Sequence, residues 1–154
     1  MSRNRFTLLL LLGCLWLFVS CGSEDEVCRE STEVKLHIGF YKTGETKVSP
    51  IDSIMVVGIP GDSVFYEPTK NLSEIQLPLE FGVGVSQYAI RFNEKWDTLT
   101  VLYNSDLYFV SYACGMIYTH TIDTVLIKGQ TSKGLSIPYK SVTTENVQHL
   151  QIYR

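Results

Sequence analysis

The stretch DTLTVLYNSDLYFVSY, residues 97–112, decides the fold class. Leu99, Val101 and Tyr103 alternate with Thr98, Thr100 and Leu102, the period of two that marks a half-buried strand. Asn104-Ser105-Asp106 reads as a turn, because these side chains bond their own backbone. Leu107 to Tyr112 is then a nearly unbroken aromatic and aliphatic run, suited to a central strand buried on both faces. Two strands joined by a turn, with β-branched and aromatic residues throughout, point to a β domain.

The flanks agree. Upstream, Tyr88, Ile90 and Phe92 alternate with Gln87, Ala89 and Arg91. Further back, Val34, Leu36, Ile38 and Phe40 alternate with Glu33, Lys35, His37 and Tyr41. Downstream, Ile117 to Ile127 is long enough for a strand with a bend or bulge near Asp123. Leu150 and Ile152 place a last strand in the sheet. Pro60-Gly61-Asp62, Pro68 to Asn71, Asn93-Glu94-Lys95 and Gly129 to Gly134 supply turns or loops. After residue 21 the chain holds two alanines, Ala89 and Ala113, and no window shows helical periodicity. The expectation is an all-β fold: an antiparallel β-sandwich of about eight or nine strands over residues 32–154.

Residues 1–20 are of a different kind. Arg3 and Arg5 precede an apolar stretch from Phe6 to Val19, which is 14 residues and too short to span a bilayer. That layout is a signal peptide. Phe18-Val19-Ser20-Cys21 resembles a bacterial lipobox, which implies cleavage before Cys21 and acylation of its sulfur and amine. Two or three acyl chains would anchor the protein stably. The other reading is ordinary cleavage that leaves Cys21 a plain thiol. Residues 21–31 then form the lipidated cysteine and an acidic tether. Glu24, Asp25 and Glu26 look like the export signal of surface-exposed lipoproteins; the plainer reading is a solvated spacer. The expected location is the outer membrane, facing outward, with the periplasmic face as the alternative.

Removing the leader takes away two arginines and no acid, so the net charge moves from −3 to −5. An acidic chain carries no nucleic-acid footprint. Of four cysteines, Cys14 leaves with the leader and Cys21 takes lipid. Cys28 and Cys114 remain, and in an exported protein a disulfide between them is favoured over two free thiols. Their spacing does not suit zinc.

Chemistry-bearing patterns are sparse. His37, His120 and His149 each stand alone, which suits surface or satisfied histidines. Gly82-Val83-Gly84 lacks the lysine and third glycine of a phosphate loop and fits a loop between strands. No serine occupies a nucleophile elbow, and no cofactor or metal motif is present. An Asp followed by Ser or Thr and an aliphatic residue recurs at Asp52, Asp62, Asp97 and Asp123. This pattern reads as a strand-entry device rather than a calcium loop. Trp96, Tyr103, Tyr108, Tyr112 and Tyr118 are the candidate ligand-facing aromatics; the plainer reading puts tyrosines at the rim of the core.

Glu26-Val27-Cys28-Arg29, Ile51-Asp52-Ser53-Ile54, Leu77-Pro78-Leu79, Asp97-Thr98-Leu99 and Phe109-Val110-Ser111 leading to Cys114-Gly115 occur in this order. Together they resemble a group of uncharacterised Bacteroidota lipoproteins built around a domain of unknown function. The resemblance implies an envelope lipoprotein with paired cysteines and implies no reaction. The sequence thus leads to a lipid-anchored, non-enzymatic module that binds an outer-membrane protein partner. A glycan-binding module is the alternative, and an enzyme would need a histidine beside a carboxylate in a pocket.

Overall fold

The structure is a computed structural model that describes residues 27–61 and 63–154. The expected signal peptide, Cys21 and the acidic run Glu24, Asp25 and Glu26 lie outside the described residues. Ten strands occur among the described residues: β1 (Leu36–Tyr41), β2 (Ile54–Ile59), β3 (Val64–Thr69), β4 (Glu74–Leu77), β5 (Val85–Phe92), β6 (Lys95–Ser111), β7 (Gly115–Gly129), β8 (Gly134–Ser136), β9 (Ser141–Val142) and β10 (Leu150–Tyr153). No helix is found among the described residues, so the all-β reading holds. Two sheets form, one of four strands in the order β4-β1-β10-β8 and one of six in the order β3-β2-β5-β6-β7-β9.

The alternating runs build the core. Leu36, Ile38 and Phe40 of β1 and Leu150 and Ile152 of β10 are fully buried, as are Ile54 and Val56 of β2, Ile90 of β5, and Leu99 and Val101 of β6. Phe40 of the smaller sheet meets Phe92 of the larger edge-on, with centroids 5.5 Å apart, the geometry that ring quadrupoles favour.

The expected all-antiparallel pairing needs one correction. β1 and β10 run parallel, with Ile38 opposite Leu150 and Phe40 opposite Ile152. A parallel pair needs a long connection, and here it is supplied by all the intervening strands.

The decisive stretch departs further from its reading. Asn104-Ser105-Asp106 is not a turn, because β6 runs unbroken from Lys95 to Ser111. Two of the three polar side chains find partners across the ladder instead of in a local loop. Asn104 donates to Asp123 Oδ2 at 2.8 Å, and Ser105 Oγ lies 2.8 Å from His120 Nδ1. Nor is Leu107 to Tyr112 a central strand, since Leu107, Tyr108, Phe109 and Tyr112 are exposed. The expected bulge is present. Leu102 pairs with Thr124 but Tyr103 with Ile122, which leaves Asp123 as the extra residue.

Asp97 also differs from a strand-entry turn. It is buried, and its carboxylate accepts from the backbone N–H groups of Gln130 (2.8 Å), Thr131 (3.1 Å) and Ser132 (2.8 Å) and from the Ser132 hydroxyl (2.7 Å). It thereby holds the β7–β8 loop rather than its own turn. Burial pushes its carboxyl up, but the Ser132 hydroxyl and the three N–H donors outweigh that and bring it below the usual range.

Candidate functional site

Two uncovered apolar features adjoin each other. The first is an arm. β5 pairs with β6 only from Lys95 to Leu102, and β9 covers β7 only at His120 and Thr121. Beyond those points β6 and β7 continue as a two-stranded hairpin to Ser111 and Gly115. Gly115 closes the tip with φ +74°, a conformation that favours glycine. The register pairs Tyr103 with Ile122, Leu107 with Tyr118 and Phe109 with Met116. These pairs lie on the face that holds Leu99 and Val101 in the core. That face is buried at Tyr103 and Ile122, then surfaces at Leu107, Phe109, Met116 and Tyr118. Phe81, from the β4–β5 loop, stacks on Tyr118 with centroids 3.7 Å apart.

The arm tip is tied to the start of the domain. Cys28 and Cys114 form a disulfide with their Cα atoms 4.7 Å apart. The expected pairing of these two cysteines is therefore present, joining the segment before β1 to the far end of the arm.

The second feature is a groove of about 250 Å³ between the β2–β3 turn and the β4–β5 loop. Ile59, Phe65, Val83 and Val85 line it, each between 37% and 54% exposed. Two tyrosines position its wall. Tyr88 donates to the carbonyl of Pro78, and Tyr103 donates to that of Glu80 at 2.6 Å. Burial pushes the Tyr88 phenol up to about 12, so it stays a donor. Gly82 and Gly84, with φ +79° and +72°, turn the loop so that Val83 faces outward. Among the described residues, β3 is the outer strand of its sheet and leaves a backbone edge beside the groove.

The proposed ligand-facing aromatics do not gather. Tyr103 is 2% exposed and belongs to the core, because it stands where the arm face is still covered. Trp96 is half-exposed at the opposite end of β6, with the Arg91 guanidinium 5.8 Å from its ring centre. Tyr108, Tyr112 and Tyr118 all lie on the arm. No motif marks the groove; its one local sign in the sequence is Val83 between two glycines.

The histidines are structural in their contacts. His149 is buried, and its Nδ1 accepts from the His37 N–H at 3.0 Å. Burial, with His37 nearby, lowers its pKa to about 4. Burial also lowers the pKa of His120. His37 shares an open groove of about 550 Å³ with Glu74, where burial lowers its pKa against the opposing pull of Glu74. Glu74 itself accepts from Gln148 at 2.9 Å. No histidine is hydrogen-bonded to a carboxylate among the described residues.

Residues 53–154 match a family described as a family of unknown function, DUF6452. The chain belongs to that family. The DUF6452 match spans β2 to β10 and includes Cys114, whereas β1 and Cys28 precede it. No curated protein and no solved structure is similar to the chain.

Proposed function

We propose that this chain is an exported protein, anchored to the outer membrane by lipid on Cys21, that serves as a non-enzymatic binding module for an outer-membrane protein partner. The observation that carries the binding role is the groove of Ile59, Phe65, Val83 and Val85 beside the open edge of β3. Apolar side chains converging next to an unpaired strand edge suit an extended segment of a partner. Its backbone would add to β3 while a side chain fills the groove. The Cys28–Cys114 disulfide supports export, since such bonds persist where thiols are scarce. The leader and the lipobox-like Phe18 to Cys21 support the anchor.

A photo-reactive residue at Val83 in intact cells tests this reading. The expected result is one discrete adduct with an outer-membrane protein, lost when Phe65→Asp is added. A reporter at Val83 that yields no adduct, or the same scattered adducts with and without Phe65→Asp, would refute it.

A further inference from the structure

We infer that the tip of the β6–β7 arm rests in the polar–apolar interface of the bilayer that holds the lipid anchor, and so fixes how the domain stands on the membrane. This inference rests on the proposed acylation of Cys21.

Composition is the first argument. Residues 107–119 contain no Asp, Glu, Lys or Arg. In this uncharged run Leu107, Tyr108, Phe109, Tyr112 and Met116 are all about half or more exposed, and Tyr112 is 95% exposed. An apolar projection without charges is out of place in water. Tyrosine, with a flat apolar body and a polar tip, is enriched where bilayer meets water.

Reach is the second argument. Cys28 is bonded to Cys114 at the tip. Seven peptide units separate Cys21 from Cys28, and fully extended they span at most about 25 Å. The acyl chains on Cys21 would therefore lie within about that distance of the tip, whatever path the intervening residues take. β6 itself, at 17 residues, is about 55 Å long. Measured along that strand, the pole bearing Lys95 and Trp96 lies beyond the reach of the tether from the tip, and the arm tip is the pole nearest the bilayer.

The backbone limits the depth. Among the described residues, β6 has no neighbour on its β5 side from Asn104 onward, and β7 is open on its outer side from Gly115 to Thr119. Those N–H and C=O groups need water or headgroups and cannot enter the hydrocarbon. The arm therefore lies at headgroup depth. Its contact is apolar rather than electrostatic, in keeping with the acidic run beside the anchor.

The test uses the full-length protein purified from envelopes and reconstituted into phosphatidylethanolamine–phosphatidylglycerol vesicles. Trp16 lies in the leader, so Trp96 is the only tryptophan of the processed chain and reports the far pole. Tyr112→Trp in a Trp96→Phe background reports the tip. Brominated acyl chains should quench the tip reporter and its emission should be blue-shifted, while native Trp96 stays unquenched. Adding Phe109→Asp and Met116→Asp should abolish the quenching with the protein still vesicle-bound. Intact mass distinguishes the two ways to fail. An acylated protein whose tip reporter is unquenched overturns the inference alone. An unacylated Cys21 overturns both it and the anchoring reading. A tip that is unquenched in vesicles yet photo-cross-links to a protein in envelopes assigns the arm to a protein partner and also overturns the inference.

Discussion

Replacing Asp97 with alanine should be among the most damaging single changes in the domain. The carboxylate is 1% exposed and accepts four hydrogen bonds, three of them from consecutive backbone N–H groups of the β7–β8 loop. Bonds to a charged group contribute about 1.5–3 kcal/mol each, and a loop that can partly re-solvate brings this nearer 1 kcal/mol each, so Asp97→Ala should cost about 4 kcal/mol. Asp97→Asn keeps one acceptor oxygen but turns an NH2 toward donors, and should cost about half as much. The pH dependence follows from the lowered carboxyl. The unfolded chain binds a proton near pH 4, whereas the folded protein does so only at lower pH. The stabilisation is therefore complete above about pH 4 and is lost as pH falls through the lower folded value. Urea unfolding of the wild type and both variants between pH 3 and pH 7 measures this. A loss below 1 kcal/mol for Asp97→Ala at pH 7, or an acid dependence that the alanine variant retains in full, would show that the loop does not depend on this carboxylate.

Leu99 and Leu107 stand on one strand and one face but should behave oppositely. Leu99→Ala empties a fully buried site and should cost about 2–5 kcal/mol, while Leu107→Ala should stay within about 0.5 kcal/mol; equal losses would place the arm in the core. His149, with its pKa lowered to about 4, should stay neutral by NMR until near that pH. Stability should be full above about pH 6.5 and should fall by a few kcal/mol down to about pH 4, with His37 and His120 adding in the same direction. A His149 titration near 6.5 would contradict its burial. The Cys28–Cys114 bond joins residues 86 apart, and the chain-entropy model sets a ceiling of about 4–5 kcal/mol on its removal. Both cysteines lie outside the core, so Cys28→Ser with Cys114→Ser should lose less than that in urea unfolding. A loss above the ceiling would mean the arm tip folds with the core.

The core strands were legible because one face of each meets the opposite sheet. Burial of alternate residues is then written directly as alternation, as at Leu36-Ile38-Phe40 and Tyr88-Ile90-Phe92. The arm was misread because composition records apolar character and not coverage. Leu107 to Tyr112 looks like a buried strand, but β5 and β9 end before they can cover it. Asn104 to Asp106 looks like a turn because cross-strand partners such as Asp123 and His120 are invisible locally. The groove left only Val83 between two glycines as a trace, because its wall is built by tyrosine hydroxyls on distant carbonyls. The cysteine pairing was legible from the expectation of export, which favours a disulfide over two free thiols.

The parallel pairing of β1 with β10 has a temporal side. In the smaller sheet β10 stands between β1 and β8. Until Leu150–Tyr153 emerges, β4 and β1 form a bare pair and β8 has no neighbour. The sheet that covers the core can close only when β10 arrives, after the nine strands that precede it among the described residues. A chain growing from its N-terminus therefore keeps this sheet open until Leu150–Tyr153 has been made. Removing those four residues should not trim an edge but split the sheet through its middle.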